Sequence, residues 1–202
     1  MGSCCMELKT VIHYLKFTGT MLERSVKQMK ELNTDRLHLR YICEGDAQRI
    51  FDCWASKPEV AKYLTWLPHE NVETTKQVIG FWLKDYEEDP NCMRWGIELK
   101  KTGELIGMID VVGYRDGKPV IGYCSGPAYW GNGYMTEALH AVVEELFLQG
   151  HAEILIEAVQ ENIGSCRVIE KNGFAYTGSR EEPISRFKPD EIVTVRFYAL
   201  KK

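Results

Sequence analysis

Two glycines one residue apart, Gly131 and Gly133, stand between an apolar, strand-like run and a long amphipathic segment. Because glycine has no Cβ, each tolerates a positive φ and lets a ligand approach the main chain closely. A helix that begins directly after them points its unpaired N–H groups and its positive dipole end at the same spot. This pattern favours the binding of a phosphate or pyrophosphate, although a plain turn that caps the next helix would have the same sequence.

The loop departs from two familiar phosphate-binding motifs. A P-loop ends in Gly-Lys followed by Ser or Thr, whereas Tyr134 follows Gly133 here. A dinucleotide-binding fingerprint needs a third glycine, and Thr136 occupies that position. The sequence therefore predicts an anion site of another class.

The composition narrows the class of protein. The chain has 202 residues, of which 45% are hydrophobic and 27% charged, as expected for a globular domain with a sizeable core. A net charge of −4 offers no basic footprint for nucleic acid, and no apolar run approaches the roughly 18–20 residues that span a bilayer. Seven cysteines without Cys-x-x-Cys spacing indicate reduced thiols, and five dispersed histidines argue against a metal site. We therefore expect a cytoplasmic protein with no nucleic-acid or membrane partner and no bound metal.

The beginning of the chain differs from the rest. Residues 7–32 carry apolar residues at three-to-four-residue spacing, which predicts an amphipathic helix interrupted by Gly19. A second methionine, Met29, stands just ahead of the first strand pattern. We therefore expect a helical extension over residues 1–28 and one compact domain over residues 29–202. The apolar stripe of the extension needs a partner, which is either the domain itself or a second subunit in a homodimer.

Hydrophobic periodicity and turn signals predict the order β-ααα-βββ-α-β-α-ββ for the domain, a mixed α/β arrangement without internal repeats. The predicted strands cover residues 36–41, 94–99, 105–113, 119–124, 151–159, 174–177 and 192–200. The predicted helices cover residues 44–55, 58–64, 71–87, 135–148 and 163–171.

Five fragments around the glycine loop stand in order and at fitting spacing: residues 34–40, 103–107, 121–123, 129–138 and 162–174. Together they resemble the GNAT superfamily of acetyl-CoA-dependent N-acetyltransferases, in its RimJ/RimL-like branch. The resemblance covers residues 29–202. It implies a mixed α/β fold whose central mixed sheet has about seven strands flanked by helices, with the predicted N-terminal helix as an addition.

The resemblance also implies a binding mode for acetyl-CoA as co-substrate. Main-chain amides of the glycine loop would hold the pyrophosphate, and the pantetheine arm would lie between the fourth and fifth strands, which separate in this fold. Asn162 would face the thioester, and it is equally suited to capping the next helix. The residues implied to contact the cofactor are Tyr123, Cys124, Ser125, Trp130, Gly131, Asn132, Gly133, Tyr134, Met135, Asn162 and Ser165.

Acetyl transfer to an amine needs a base, because only the neutral amine attacks, and a site for the tetrahedral oxyanion. Ile169 stands where many members of the superfamily carry a tyrosine as general acid, so Ser165 or a water is left to assist the departing thiolate. Val120 stands where the branch often carries a glutamate. Asp110 and Glu98 then remain as the carboxylates on central strands.

Each of these candidates also has a structural interpretation. Asp110 lies in an apolar run and would be explained by a hydrogen bond at a strand end, and Glu98 by an ordinary solvent-facing position. Cys124 has no histidine nearby in the sequence to activate its thiol, which favours a packing role. Trp66 lies in a loop beside the aromatic residues of the early helices, and we expect it to contact the substrate.

The sequence favours a transferase that moves an acetyl group from acetyl-CoA to a primary amine, either a protein N-terminus or a small amine, by direct attack on the thioester. A non-catalytic acyl-CoA-binding regulatory module is the alternative, because Val120 and Ile169 replace expected catalytic side chains. A third interpretation is an assembly protein that uses residues 7–32 as a docking helix.

Overall fold

The protein is built around one eight-stranded sheet with the strand order β1-β2-β3-β4-β5-β6-β8-β7. The structure is a computed structural model that describes residues 29–89, 92–185 and 188–202. The strands are β1 (Leu32–Asn33), β2 (Leu37–Arg40), β3 (Arg94–Leu99), β4 (Leu105–Arg115), β5 (Lys118–Ser125), β6 (Glu153–Val159), β7 (Ala175–Ser185) and β8 (Lys188–Lys201). Neighbouring strands run antiparallel, apart from the parallel pair β5 and β6.

Helices connect the strands at two places in the chain. The first group precedes β3, and the second carries the crossover from β5 to β6 and the connection to β7. The helices are α1 (Ala47–Ile50), α2 (Pro58–Ala61), α3 (Val72–Glu88), α4 (Tyr134–Leu148) and α5 (Ile163–Lys171). Proline opens α2 at its first turn, as its fixed φ allows. The Asn71 side chain caps α3 by accepting a hydrogen bond from Thr74 N at 3.0 Å.

The sheet separates two apolar cores, because successive residues of a strand point to opposite faces. Ile109 of β4 packs in the core shared with Leu139 of α4 and Ile169 of α5. Its neighbour Met108 packs against the other core, which contains Ile50 of α1. Helices therefore cover both faces of the sheet.

The parallel pair β5 and β6 is joined over only two positions, Val120 with Leu155 and Ile121 with Ile156. Beyond Ile121, β5 continues to Ser125 and stays registered with β4 on its other side. The edge of β5 that faces β6 is therefore open over its last residues. This separation of two central strands agrees with the arrangement that the resemblance implies.

Most predicted elements are confirmed, with shifts at their ends. The closing strands are much longer than predicted, because β7 and β8 form a charged hairpin whose outer residues carry no apolar alternation. The segment predicted as one helix over residues 44–55 is instead a 3₁₀ turn, α1 and a π-helical turn, Phe51–Ala55.

One prediction is wrong at its end. The helix predicted over residues 7–32 lies mostly outside the described residues, but Leu32 belongs to β1 and pairs with Leu39. Leu32 is buried by this pairing, so tertiary packing overrides the helical periodicity that the sequence shows there. The short strand β1 also explains why the sheet has eight strands and not the predicted seven.

Candidate active site

A cleft of about 720 Å³ opens where β5 and β6 separate. One wall is the end of β5, and the opposite wall is the start of α5. The glycine loop, the start of α4, and residues 59–64 of α2 and the turn after it also line the cleft. The cleft thus includes both an anion site at a helix start and an open strand edge.

The glycine loop adopts the backbone conformation that its sequence predicts. Gly131 and Gly133 have φ values of +76° and +77°, a region that side chains with a Cβ disfavour. The first hydrogen bond of α4 runs from Glu137 N to Gly133 O at 3.1 Å. The N–H groups of Tyr134 and Met135 therefore precede the hydrogen bonds of the helix and are available to an anion.

A brace that the sequence analysis missed supports this loop from Arg36, in the turn just before β2. Arg36 Nε donates to Glu137 Oε2 at 2.6 Å, and Arg36 Nη1 donates to Asn132 O at 3.0 Å. The guanidinium also lies 4.7 Å from the centre of the Tyr134 ring. Burial opposes ionisation of Glu137, but hydrogen bonds from Thr34 and Arg36 outweigh it and lower the pKa of this carboxyl. Both partners lie in fragments that carry the family resemblance, which is the signal that could have found them.

Two cations of α5 also line the cleft, and the sequence analysis named neither. Arg167 and Lys171 stand four residues apart, which places them on one face of the helix. They bring positive charge to the same cleft as the amides of the glycine loop. The four-residue spacing of Arg167 and Lys171 is visible in the sequence. Only the fold shows that this face of α5 lines the cleft.

One main-chain acceptor near the open edge of β5, Ser125 O, already has a hydrogen-bond partner. The indole Nε1 of Trp130 donates to Ser125 O at 3.0 Å, while the Trp130 residue stays 50% exposed. Cys124 and Tyr123 complete this edge of the cleft. Burial raises the pKa of the Cys124 thiol, which keeps it protonated and a poor nucleophile.

Asn162 and Ser165 meet at the start of α5. The side-chain oxygen of Asn162 accepts a hydrogen bond from Ser165 N at 3.2 Å, so Asn162 caps the helix as its residue type favours. Ser165 Oγ lies 2.9 Å from the hydroxyl of Tyr123. All three residues line the cleft.

Both predicted carboxylates lie in ion pairs, and neither is among the described residues that line the cleft. Glu98 accepts from Arg40 Nε at 2.6 Å. Asp110 lies 3.3 Å from Arg94 Nε, and burial raises its pKa to about 6 against the opposing effect of that arginine. Asp110 shares a sheet face with Cys124, because β4 pairs it with Gly122, two residues before Cys124.

Comparison with known proteins decides the family. Residues 36–175 match the acetyltransferase (GNAT) domain. The chain belongs to this family. It is similar to the uncharacterized N-acetyltransferase YoaA of Bacillus subtilis, with 35% identity over 73% of this chain and 84% of that protein.

Solved structures share the GNAT fold. RimL, a ribosomal L7/L12 alpha-N-protein acetyltransferase in complex with CoA, matches with a TM-score of 0.71 at 16% identity over 85% of this chain and 98% of RimL. The microcin C7 self-immunity acetyltransferase MccE, in complex with acetyl-CoA and AMP, matches with a TM-score of 0.70 at 16% identity over 84% of this chain and 94% of MccE. The predicted GNAT fold and the predicted family are therefore confirmed.

Two other residues of the predicted site, Asn132 and Trp66, do not line the cleft. Asn132 shapes the loop through its side-chain hydrogen bond to Trp130 O at 3.0 Å, but it is not among the lining residues. Trp66 packs against the core beside α1 and α3, with its ring centre 5.8 Å from that of His69. Tyr63 and Leu64, from the same segment, reach the cleft instead. The contact of Trp66 with a substrate stays a prediction.

Two properties of the described residues bear on partners. Within residues 29–89, 92–185 and 188–202, no helix is long and apolar enough to cross a membrane. In the same ranges, no group of three or more His, Cys, Asp or Glu residues could hold a metal ion. The cytoplasmic location, the independence from metal and the homodimer stay predictions.

Proposed function

We propose that the protein transfers an acetyl group from acetyl-CoA to a primary amine by direct attack of the neutral amine on the thioester. One observation carries the proposal: a single cleft runs from the amides of the glycine loop to the open edge of β5. An elongated molecule with an anionic end and an amide-bearing arm fits this combination. Acetyl-CoA has both parts, and family membership supports it as the donor.

The cleft offers complementary groups along the donor. The pyrophosphate would accept from main-chain N–H groups between Gly131 and Met135, at the positive end of α4. The pantetheine amides would pair with the main chain of Tyr123–Ser125, as an added strand does. Arg167 and Lys171 would attract the phosphates without being the primary donors. RimL, which has the same fold, forms a complex with CoA, and this supports CoA as the class of ligand.

For this reaction the protein must position the amine against the thioester, accept the amine proton and stabilise the departing thiolate. The amine nitrogen attacks the carbonyl carbon, and the C–S bond electrons leave with the sulfur. A thiolate is a far better leaving group than an alkoxide, so a hydrogen bond from the Ser165 hydroxyl would be sufficient assistance. Asp110 would take the amine proton, because its pKa of about 6 suits a base at neutral pH. Since Asp110 lies outside the cleft lining, a water would carry the proton to it.

The acceptor would enter at the part of the cleft lined by residues 59–64. Glu59 and Glu161 line the cleft, but so do Lys62, Arg167 and Lys171, so the charge of the lining does not select a cationic acceptor. RimL and MccE share this fold and differ in their named roles, so the fold does not select the acceptor. We propose a protein N-terminus or a small amine as the acceptor class.

The test is a turnover assay with the purified full chain and a panel of amines that includes peptides with free N-termini, amino acids, polyamines and aminoglycosides. CoA release is followed with a thiol reagent, and the product is identified by its added acetyl mass. We expect at least one acceptor to release CoA faster than the no-acceptor control, which measures thioester hydrolysis. Release that never exceeds this control would count against a transferase.

One observation keeps the non-catalytic alternative open. Both candidate bases are held in ion pairs, Asp110 with Arg94 and Glu98 with Arg40. An acyl-CoA-binding regulatory module would keep the cleft without needing a base. Tight binding of acetyl-CoA without turnover across the whole amine panel would favour this alternative.

A further inference from the structure

Tyr123 and Ser165 connect opposite walls of the cleft. Tyr123 belongs to β5 and Ser165 to α5, and both line the cleft. The Tyr123 hydroxyl lies 2.9 Å from Ser165 Oγ and 3.2 Å from the Ser165 main-chain oxygen. This contact brings together two hydroxyl groups whose hydrogen atoms can be arranged in more than one way.

Each hydroxyl has one hydrogen and two lone pairs, so two arrangements fit these distances. In the first, Tyr123 donates to the main-chain oxygen and Ser165 Oγ donates to Tyr123. In the second, Tyr123 donates to Ser165 Oγ, and the Ser165 hydrogen is free to point into the cleft. The two arrangements differ only by rotation of hydroxyl hydrogens.

We propose that Tyr123 is a positioning residue that turns the Ser165 hydroxyl toward the sulfur of the departing CoA thiolate. This inference rests on the proposed function, because it needs the thioester at the start of α5. Tyr123 acts through Ser165 and does not itself touch the reacting atoms. The Tyr123 hydroxyl donates to one lone pair of Ser165 Oγ, and the Ser165 O–H is thereby directed to the site of negative charge.

The step balances without proton transfer between the two residues. The new C–N bond forms, the C–S bond breaks and its electron pair stays on sulfur. The amine proton leaves to the base or to water. Ser165 donates a hydrogen bond to the thiolate and Tyr123 donates one to Ser165, so both hydroxyls keep their protons.

Two features support this arrangement. Burial raises the pKa of the Tyr123 phenol, against the opposing effect of Ser165, so it remains a donor throughout the reaction. Asn162 holds the main chain of Ser165 through the cap of α5, which limits where Oγ can lie. A hydrogen-bonded hydroxyl next to a developing anion is a preorganised donor of the kind that stabilises transition states.

The experiment measures the pKa of the CoA thiol while CoA is bound to the full chain. Thiolate absorbance in the ultraviolet is followed against pH, with the desulfo-CoA complex of the same variant as the blank. The variants are Tyr123→Phe, Ser165→Ala and their double variant. Tyr176→Phe is the matched control, because its exposed hydroxyl bonds to Ser179 outside the cleft.

We expect the wild-type complex to hold the pKa of the bound CoA thiol below that of free CoA measured in the same buffer. Tyr123→Phe and Ser165→Ala should each raise that pKa by about 1, since each removes a charge-assisted hydrogen bond or its orientation. The double variant should match Ser165→Ala alone, because Tyr123 acts only through Ser165. Tyr176→Phe should behave as wild type.

Two results would overturn the inference while the proposed function stands. One is a bound thiol whose pKa is unchanged by Tyr123→Phe, and the other is a double variant in which the two effects add. If the phenylalanine variant fails to fold, Tyr123→Leu also lacks the hydroxyl and is judged by the same criteria. Failure of the wild-type chain to bind CoA would instead remove the proposed function, and this inference with it.

Discussion

Burial and the charge of Arg94 act in opposite directions on the pKa of Asp110. The side chain is held by Arg94 in an otherwise apolar part of β4, and burial still raises its pKa to about 6. In the unfolded chain an aspartate titrates near 3.9. The folded protein therefore binds this proton more tightly, so this carboxyl favours the fold most below about pH 4 and opposes it as the pH rises through 6.

This difference predicts how Asp110→Asn changes stability with pH. We expect the free energy of unfolding of wild type, relative to the variant, to fall by about 1–3 kcal/mol between pH 4 and pH 7. Urea unfolding at several pH values measures it. A constant difference between the two proteins over this range would contradict the burial of an ionisable carboxylate.

The catalytic role of Asp110 gives a separate prediction. If Asp110 is the base, Asp110→Asn should lower kcat about 100-fold or more, because general base catalysis contributes about that much. The affinity for acetyl-CoA should be unchanged, since Asp110 lies outside the cleft lining. Glu98→Gln is the matched carboxylate variant and should keep more than half of the activity. Equal losses in both variants would argue that neither group is the base.

The arginine partners of Asp110 and Glu98 could not be predicted from the sequence, whereas the conformation of single glycines could. The positive φ of Gly131 and Gly133 is a local property of the chain, and the sequence predicted it. Arg94 is separated from Asp110 by a hairpin, and Arg40 reaches Glu98 from a different strand. Such pairs depend on register between strands, which residue type alone does not determine.

Among the elements, the start of α4 depends on the turn that joins β1 to β2. Arg36 joins the main chain of the loop, at Asn132, to the Glu137 side chain in the first turn of the helix. Losing this brace would free the loop amides to turn away from the anion. The conformation of the glycine loop is therefore a property of two elements and not of the loop sequence alone.

Arg36→Ala should weaken acetyl-CoA binding about tenfold and lower the free energy of unfolding by about 1–2 kcal/mol, because two hydrogen bonds involving charged or main-chain groups are lost. Calorimetric titration and urea unfolding measure the two effects. Arg115→Ala is the control, since Arg115 forms an exposed pair with Glu157 away from the cleft lining. Equal effects from both substitutions would contradict a specific role for the brace.

The amphipathic helices were predictable because their apolar periodicity is long and their ends carry Gly, Asn or Pro. The π-helical turn Phe51–Ala55 was not, because it has the same local pattern as an α-helix. The length of the β7–β8 hairpin was also missed. Its outer part is mostly polar, with Ile184 and Ile192 among charged residues and prolines, and main-chain pairing extends it without a regular apolar alternation.

At the scale of the whole molecule, strand order is what creates the cleft. The chain places β8 between β6 and β7, and it parts β5 from β6 after two paired positions. Neither property follows from the hydrophobic pattern of a single strand, and the expectation of separated strands came from the family resemblance. The fold was therefore predictable as a member of a family, whereas the sequence pattern by itself predicted only a mixed α/β domain.

Charge across the whole cleft predicts a dependence on salt. Arg167 and Lys171 line the cleft beside the glycine loop, in a protein whose net charge is −4. Raising the ionic strength from about 0.05 M to 0.5 M should weaken acetyl-CoA binding several-fold in wild type. The effect should be smaller in an Arg167→Gln, Lys171→Gln variant. An identical salt dependence in both proteins would show that these cations do not act on the ligand.

We propose that the glycine loop and the open edge of β5 together bind acetyl-CoA. Isothermal titration calorimetry of acetyl-CoA into wild type, Gly131→Glu and Gly103→Glu tests it most directly. Gly103 also has a positive φ, of +70°, and a Cβ there meets nothing within 4 Å, but it lies outside the cleft lining, so it matches the backbone strain of the substitution. We predict micromolar one-site binding by wild type and Gly103→Glu, and none by Gly131→Glu. No binding by wild type, or equal binding by all three proteins, would contradict the account.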